Sequence, residues 1–563
     1  MKVLRHSVVT GIAFMIAYVA HAAHAQPASR VQRQGVICKR LDPALTMDGK
    51  LCPCRPCHMC ELNASQTSCG LVQTPGMDLS DGFDVLMEQP VTDLDLWFLT
   101  EDEITATRRG VPRDDLAVYS TGNKVSAYVA PEEFFNAAYK DIQATGPGVR
   151  IFLTSWTVDN TPLDPRNDAN GEATGAKAVF TDAVARGVQF YALAHVNYWE
   201  KKGNLEVRDH INALPLSLNG GKARFLFDDR KASEGNSHHQ KTLVIENEDS
   251  VVAYVGGIDL AAGRWDTLIH NQTSGWMDCH LRIAGPAAKD VSTNFLTRWN
   301  SETRPGAFMP GKLADFVNPE YWHLPAFPRP SPQQFGQHSV QIVRTYSPQY
   351  AKYECAPKGE QSLYEARIKA IRNAKNYIYI EDQYFVLVPR LLEELLNVLP
   401  GLQRLIVVVQ RPGSDENYAP YKRLLHEMAA PMQKKFPNKF QLYSTKESRN
   451  IYIHTKLVLI DDVYVSIGSA NWNDCSMFSD AELNANVVDR ELVDSADGVL
   501  VTKLALDYRI RKFMELTGMS YEKLRAMKFI DAADQLDVAA KNPSTILDNL
   551  EPEKMNYKPV VVE

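Results

Sequence analysis

The chain has 563 residues, of which 45% are hydrophobic and 23% are charged, and its formal net charge is −7. This composition excludes a fibre, a repeat array or a disordered chain, and the length predicts two domains or one duplicated domain with additions. The acidic balance provides no general attraction to nucleic acid, although a local basic pocket is compatible with an acidic surface.

The first 25 residues have the three parts of a cleavable signal peptide. Lys2 and Arg5 precede an apolar run over residues 8–20, and an A-x-A sequence stands directly before Gln26. A membrane anchor is the alternative, but the run is shorter than the roughly 20 residues that a spanning helix needs. We therefore expect export, to the extracellular medium or to a bacterial periplasm. Cleavage after residue 25 would leave 59 basic and 68 acidic residues, a net charge of −9.

A cysteine-rich leader follows over residues 26–75. It contains six of the nine cysteines, namely Cys38, Cys52, Cys54, Cys57, Cys60 and Cys69. In an exported protein such a set indicates disulfides, with fifteen ways to pair them. Zinc is the less favoured alternative, since the thiolates and His58 have ligand-like spacing. The other three cysteines are scattered, and at least one of the nine stays unpaired or bonds elsewhere.

Residues 76–302 alternate between helix and strand patterns. The patterns predict helices over 134–139 and 176–186, and strands over 149–156, 188–194, 223–227, 242–245 and 251–255. Residues 303–340 are rich in proline and indicate a connector. Strands that alternate with helices are typical of an α/β fold with a largely parallel or mixed sheet.

The same order of elements returns over residues 341–541. Helices are predicted over 366–371 and 391–398, and strands over 377–381, 405–409, 457–460 and 463–467. This internal duplication predicts two similar lobes about a pseudo-two-fold axis. The tail, residues 542–563, is polar and contains proline, so we expect it to extend or fray.

A His-x-Lys triplet begins a strand in each half, and an acidic residue ends that strand. The first set is His239, Lys241 and Glu246, and the second is His454, Lys456 and Asp461. Alternation along a strand places histidine and lysine on one face. A glycine turn follows each strand and delivers a polar residue, Asp259 in the first copy and Asn471 in the second.

These residue types suit the cleavage of a phosphodiester. The reaction needs a nucleophile, an acid for the leaving alkoxide and cations at the non-bridging oxygens. Histidine serves as nucleophile or proton carrier near neutral pH, and lysine supplies a point charge for phosphate. Two copies supply two histidines, one for each role, which we expect to face each other between the lobes.

The two copies resemble the HxKxxxxD signatures of the phospholipase D superfamily. Flanking sequences resemble its eukaryotic-type branch, at 256–266, 276–287 and 377–385, and the similarity covers roughly residues 125–515. No C2, PX or PH module is evident. The resemblance implies two α-β-α sandwich lobes with the active site at their interface. It also implies that His239 is the nucleophile and His454 the acid and then the base, an order that the sequence alone does not fix.

The resemblance further implies roles for neighbouring residues. Lys241, Lys456, Asn471 and Ser469 would hold or orient the phosphate. Glu482 would orient His454, and Asp278 is the candidate partner of His239, because an attacking imidazole needs its other nitrogen oriented. The first copy departs from the family in two ways, because Glu246 replaces the usual aspartate and the path from Glu246 to Gly256 is three residues longer than in the second copy. Asp259 occupies the place that matches Asn471.

Together these features predict a secreted enzyme that converts glycerophospholipids such as phosphatidylcholine to phosphatidic acid, by hydrolysis or by transfer to another alcohol. We expect a monomer that acts at a phospholipid surface and does not bind nucleic acid. No metal or other cofactor is required for the chemistry, and stimulation by calcium stays open. The alternatives are a nuclease of the same superfamily and a secreted binding protein or effector that has lost the chemistry.

Overall fold

The computed structural model describes residues 87–552, with gaps at 234, 272–274, 307–314, 331–334, 351 and 414–418, together with the backbone of four short strands between residues 46 and 72. One compact unit spans residues 21–86, and a second contains the chain from residue 87 onwards. The expected signal peptide and the cysteine pairing lie outside the described residues and stay predictions.

The described residues of the smaller unit form two antiparallel strand pairs. Thr46–Met47 pairs with Lys50–Leu51, and Met59–Leu62 pairs with Cys69–Val72.

The described part of the larger unit has twelve α-helices. They are α1 Leu94–Trp97, α2 Glu101–Thr107, α3 Pro131–Gln143, α4 Ala176–Ala185, α5 Lys201–Asn212, α6 Pro286–Trp299, α7 Ser362–Asn373, α8 Pro389–Val398, α9 Ala419–Lys435, α10 Lys503–Thr517, α11 Tyr521–Arg525 and α12 Phe529–Lys541.

The same part of the chain has twenty strands. They are β1 Ser120–Tyr128, β2 Arg150–Ser155, β3 Gln189–His195, β4 Lys222–Asp228, β5 Thr242–Glu246, β6 Val251–Gly256, β7 Gly275–Met277, β8 His280–Ala284, β9 His338–Tyr346, β10 Glu360–Gln361, β11 Tyr377–Asp382, β12 Arg404–Val409, β13 Phe440–Thr445, β14 Ile451–Ile453, β15 Lys456–Ile460, β16 Tyr464–Gly468, β17 Glu482–Asp489, β18 Leu492–Asp494, β19 Leu500–Thr502 and β20 Leu547–Asn549.

The strand order shows the duplication directly. The first lobe has the order β4-β3-β2-β5-β6-β8-β1 and the second has β13-β12-β11-β15-β16-β17-β9. β1 pairs antiparallel with β9, so one mixed sheet runs through both lobes. In both of these orders the first three strands pair in parallel, and the remaining strands pair antiparallel. The predicted α/β fold with two similar lobes about a pseudo-two-fold axis is confirmed.

Helices cover both faces of the sheet because its strands are apolar on both sides. On one face, α3 to α5 pack on the first lobe, and α7 to α9 pack on the second. On the other face, α6, α10 and α12 share one core that contains strand residues of both lobes. Alternate residues of β2 show the division, since Ile151 and Leu153 contribute to the first-lobe core and Phe152 to the shared core. No helix among the described residues is long and apolar enough to cross a membrane.

Two boundaries differ from those drawn on the sequence. The segment that contains α1 and α2 was assigned to the first lobe, yet it packs in the core of the second, where Trp97 stacks on Tyr464 with 5.4 Å between ring centroids. The tail was expected to extend or fray, yet β20 pairs with β13 at the sheet edge, and Leu547 is fully buried. The described residues between 303 and 337 contain no α-helix or β-strand.

Candidate active site

Each motif histidine is anchored through its backbone to the opposite lobe. β7 pairs in parallel with β14, and β14 leads directly to the second motif. The amide of His454 donates to the carbonyl of Met277 at 2.8 Å, and the amide of His239 donates to the carbonyl of Ala481 at 2.9 Å. Because Met277 belongs to the first lobe and Ala481 to the second, both motifs lie at the interface between the lobes.

Carboxylates that cross the interface hold the Nδ1 atoms of both imidazoles. Nδ1 of His239 lies 3.0 Å from Oε1 of Glu482, and Nδ1 of His454 lies 2.7 Å from Oδ2 of Asp278. The predicted pairing of Glu482 with His454 and of Asp278 with His239 is therefore wrong. The two carboxylates occupy equivalent positions in their lobes. Asp278 lies two residues before His280, which pairs with Gly256 at the end of β6, and Glu482 lies two residues before Asn484, which pairs with Gly468 at the end of β16. From there each one faces the motif of the other lobe.

A second acceptor fixes the tautomer of His239. Its Nδ1 also lies 3.0 Å from the carbonyl oxygen of Ser469, which can only accept a hydrogen bond. Nδ1 therefore carries the hydrogen, and Nε2 has its lone pair free in the neutral ring. The hydroxyls of Ser469 and Ser476 donate to the two oxygens of Glu482 and hold that carboxylate in place. Ser469 thus orients Glu482 and His239, and its predicted role toward the phosphate stays a prediction.

The two lysines have similar backbone partners and different side-chain partners. Nζ of Lys241 donates to the carbonyl of its own motif histidine at 2.9 Å and lies 3.4 Å from Oδ2 of Asp259. Nζ of Lys456 likewise donates to the carbonyl of its motif histidine, and it donates to Oε1 of Gln383 at 3.4 Å. Both lysines are buried, so their charges lie in a medium that screens them weakly.

The residues beyond the two glycine turns, Asp259 and Asn471, are also buried. Oδ1 of Asp259 accepts from the hydroxyl of Ser155 at 2.7 Å and from the amide of Trp156 at 2.9 Å, while Oδ2 faces Lys241. Oδ1 of Asn471 is buried and has no hydrogen-bond partner within the described ranges. A buried amide oxygen without a partner is costly, and a ligand that donates to it would remove this cost.

Burial keeps both histidines neutral before substrate binds. Burial first, and then the charges of Lys241 and Lys456, lower the pKa of His239 well below its usual value. Burial, Lys456 and Arg264 do the same to the pKa of His454. Since both lysines influence both imidazoles, the two motifs form one electrostatic unit.

The other ionisable groups of the site have perturbed pKa values as well. Burial lowers the pKa of Lys456 to about 8 and raises the pKa values of Asp278 and Glu482 to about 7. Although burial opposes its ionisation, Lys241 and Arg264 hold the pKa of Asp259 below its usual value. Such perturbed groups in one place are typical of catalytic sites.

Glu246 and Asp461, predicted as catalytic, lie at the far ends of their strands. Glu246 lies five positions along the strand from Lys241, a distance of about 16 Å. Glu246 bonds to Arg150, Lys289 and Ser292. Asp461 accepts from the backbone amides of residues 375, 376 and 377 at 2.6 to 2.8 Å. Both carboxylates stabilise the fold of their lobe and do not contact the histidines, so their catalytic assignment is wrong.

Sequence reasoning gave no role to several side chains around the histidines. The guanidinium of Arg264 lies 3.8 Å from the ring centroid of Trp276, and that ring lies 5.0 Å from the imidazole of His454. Arg264 is 93% buried, and its Nε has no hydrogen-bond partner in the described part of the chain. Arg264 and Trp276 both lie in the stretch of residues 263–287 that resembles the phospholipase D superfamily, and this resemblance could have identified them.

Trp156 and Gln383 are equivalent positions in the two lobes, each one residue past β2 or β11. The ring of Trp156 lies 6.4 Å from that of His239, whereas Gln383 contacts Lys456 and accepts its hydrogen bond. The two halves of the site are therefore chemically different. No group of three or more His, Cys, Asp and Glu residues in the described ranges is arranged to hold a metal ion.

Comparisons with known proteins agree with this geometry. A family model described as phospholipase D matches residues 270–391, and one described as cardiolipin synthase, PLD-like domain, matches residues 368–500. Phospholipase D beta 2 of Arabidopsis thaliana is 26% identical over 470 residues, which cover 58% of this chain and 50% of that protein. Phospholipase D A of Dictyostelium discoideum is 23% identical over 484 residues, which cover 70% and 36%.

Among solved structures, phosphatidylserine synthase of Haemophilus influenzae Rd KW20 aligns with 65% of this chain and 82% of its own, at 14% identity and a TM-score of 0.47. The chain spans about half the length of the first plant relatives that it matches. The family matches include the second motif, and the duplicated lobes bring both motifs into one site. Over residues 270–500 the chain is similar to the phospholipase D superfamily, and the proteins that it resembles in sequence include eukaryotic phospholipases D.

Proposed function

We propose that this chain is an exported phosphodiesterase of the phospholipase D type, which cleaves glycerophospholipids such as phosphatidylcholine to phosphatidic acid through a phosphohistidine. The observation that carries the proposal is the pair of buried histidines, each oriented at Nδ1 by an acceptor from the other lobe. This arrangement leaves both Nε2 atoms for chemistry, one for each role that phosphodiester cleavage requires.

In the first step, Nε2 of His239 bonds to phosphorus while the bond from phosphorus to the head-group oxygen breaks. His454 donates its Nε2 proton to that oxygen, so the head group leaves with a hydroxyl group and not as an alkoxide. In the second step, water attacks phosphorus, His454 takes the proton of that water, and the phosphorus–nitrogen bond breaks. Phosphatidic acid is released, and an alcohol in place of water would give a transferred head group.

The charges of the site support this sequence. Lys241, Lys456 and Arg264 supply positive charge for the non-bridging oxygens, where charge is concentrated in the transition state. Burial, together with Lys241 and Lys456, lowers the pKa of His239 and favours its neutral, nucleophilic form. A bound phosphodiester anion offsets them and raises the pKa of His454, because a nearby negative charge favours the protonated imidazole. Substrate binding therefore helps to charge the acid.

We further propose that the protein acts as a monomer at a phospholipid surface, without nucleic acid as a partner. Because lysine and arginine provide the cations of the site, the chemistry requires no metal, and stimulation by calcium would act elsewhere. Zinc in the cysteine-rich leader stays the less favoured alternative to disulfides. Export rests on the signal-peptide pattern of the first 25 residues.

The test is choline release from phosphatidylcholine vesicles by the mature chain, His239→Ala and His454→Ala, with His210→Ala as the control. His210 lies on α5 and contacts Thr181, away from the site. We expect release with phosphatidic acid as co-product from the parent and the control, and none from the two motif variants. If the parent cleaved nucleic acid but no phospholipid of any head group, the lipid proposal would be wrong. If it cleaved neither substrate, the binding-protein alternative would stand.

A further inference from the structure

A buried histidine outside the motifs, His270, joins the two lobes near β7, the strand that contacts the second motif. Nδ1 of His270 lies 2.7 Å from Oδ2 of Asp266 in the first lobe, and Nε2 lies 2.9 Å from Oε1 of Glu515 on α10 of the second lobe. All three side chains are fully or almost fully buried. Because both ring nitrogens meet carboxylates, the doubly protonated ring satisfies the whole arrangement.

The charge of His270 follows from these contacts. Burial alone would lower its pKa, but the hydrogen bonds to Asp266 and Glu515 raise the pKa of His270 to about 9. Its backbone has a φ of 48°, in the left-handed region that few residues adopt. Such a conformation persists only where the surroundings hold it, and here two ion pairs do so.

A short path of contacts leads from this histidine to the acid of the reaction. Oδ2 of Asp266 also accepts from the amide of Trp276 at 2.9 Å, and Trp276 is the central residue of β7. β7 pairs with β14, and its last residue, Met277, accepts from the amide of His454. The next residue is Asp278, whose carboxylate holds Nδ1 of His454. Asp266 thus fixes the strand that sets both contacts of His454.

The close approach at the start of β7 shows how tightly this path is built. A Cβ atom on Gly275 would lie 2.2 Å from Oδ2 of Asp266, so only glycine allows the carboxylate to sit against the strand. On the other side, Glu515 pairs with Lys512, which also pairs with Glu381 at 2.7 Å near the end of β11. The carboxylates and the lysine belong to one buried charged network.

We propose that His270 is a positioning residue of the acid half of the site, which ties α10 to β7 and so holds Asp278 against His454. The inference rests on the proposed function. It assigns His270 no contact with substrate, and its effect on the reaction passes through Asp266 and the backbone of β7. His239 is positioned by Glu482 and Ser469 from the second lobe and does not depend on this path.

The test compares two substrates that differ in the leaving group. Phosphatidylcholine needs an acid to release choline, whereas phosphatidyl-p-nitrophenol releases a stable nitrophenolate without one. His270→Asn keeps a residue that tolerates positive φ and removes the charge. We expect choline release to fall at least about tenfold while the initial burst of nitrophenolate falls less than about threefold, since only the first substrate needs the acid.

His338→Asn is the matched control. His338 also joins the lobes, because its ring accepts from the amide of Val125, but it lies at the opposite end of β17 from Glu482, beside Asp489. We expect this variant to leave the ratio of the two activities unchanged. If His270→Asn proves unstable, Glu515→Gln removes the charge at the other end of the same contact and should shift the ratio in the same direction.

Equal losses on both substrates, or no loss on phosphatidylcholine, would overturn the inference, because a purely structural residue lowers all activity alike. Both outcomes require an active parent. A parent that cleaves neither substrate would instead overturn the proposed function, and with it the inference. The two failures are therefore distinguishable in the same experiment.

Discussion

The exchange of carboxylates between the lobes makes a prediction that separates the two halves of the reaction. Asp278→Asn should impair the acid, His454, and Glu482→Gln should impair the nucleophile, His239. Each change replaces a buried carboxylate that receives a hydrogen bond from Nδ1 by a neutral amide of the same shape. An amide can also turn its NH₂ group toward the ring and select the wrong tautomer.

The magnitude follows from the type of bond. A hydrogen bond to a charged group contributes about 1.5 to 3 kcal/mol, which corresponds to roughly a 10- to 150-fold loss of rate. For Asp278→Asn we expect this loss on phosphatidylcholine and less than about a threefold loss in the nitrophenolate burst from phosphatidyl-p-nitrophenol. For Glu482→Gln we expect the full loss on both substrates, because the nucleophile is needed whatever the leaving group.

Stopped-flow measurement of nitrophenolate and a discontinuous choline assay provide the two rates. Asp290→Asn is the control, since Asp290 is a buried aspartate that pairs with Arg329 away from the site. The opposite pattern, with only Glu482→Gln sensitive to the leaving group, would show that His239 is the acid. Equal losses from both variants on both substrates would refute the division of labour.

Three further predictions concern stability and the phosphate site. The fall in the pKa of Lys456 from 10.5 to about 8 means that the unfolded chain binds its proton more tightly, so this lysine destabilises the fold below pH 8 and the penalty disappears as pH rises to 10.5. The shift corresponds to about 3 kcal/mol, part of which is offset by the hydrogen bonds that Lys456 makes. Lys456→Met should therefore raise the free energy of unfolding, measured in urea, by about 1 to 2 kcal/mol at pH 7 and by nothing near pH 10.5. A loss of stability at pH 7 would contradict this reasoning. Asp461→Ala leaves three backbone amides unpaired, two of them buried, and should lower that free energy by about 2 to 3 kcal/mol. We expect kcat per folded molecule to stay within about threefold, and a selective loss of kcat would show that Asp461 is catalytic. Arg264→Gln should lower kcat/KM for phosphatidylcholine by about 10-fold or more, measured with a short-chain lipid below its critical micelle concentration. The control variant Arg423→Gln on α9 should leave kcat/KM unchanged, and equal values for the two variants would exclude Arg264 from phosphate binding.

The sequence was sufficient for the features that depend on local pattern. Apolar runs placed the central strands of both lobes, because strands buried on both faces need such runs. The repeated His-x-Lys triplet placed the four motif residues, and all four lie at the lobe interface. Asp278 and Glu482 were also found as site residues, since a reactive imidazole requires an acceptor at its other nitrogen, and Ser469 was found because it lies in the glycine turn after the second motif.

The features that depend on the arrangement of the lobes were missed. A motif shows which carboxylates are near the site in sequence, but only the pseudo-two-fold axis decides which histidine each one faces. The acidic ends of the motifs looked catalytic because they belong to the same short pattern, although an extended strand carries Glu246 and Asp461 away from the histidines. The contact between β20 and β13 joins residues about a hundred positions apart, and no local pattern reports it.

The crossing of Asp278 and Glu482 between the lobes also limits how the protein can move. A hinge motion that separated the two lobes would remove the carboxylate partner of both imidazoles at once. It would also break the pairing of β1 with β9 in the sheet that joins the lobes. Separation of the lobes would therefore leave both motif histidines without the carboxylate that orients them. If the lobes stay joined in this way, a substrate reaches a closed, fully assembled centre.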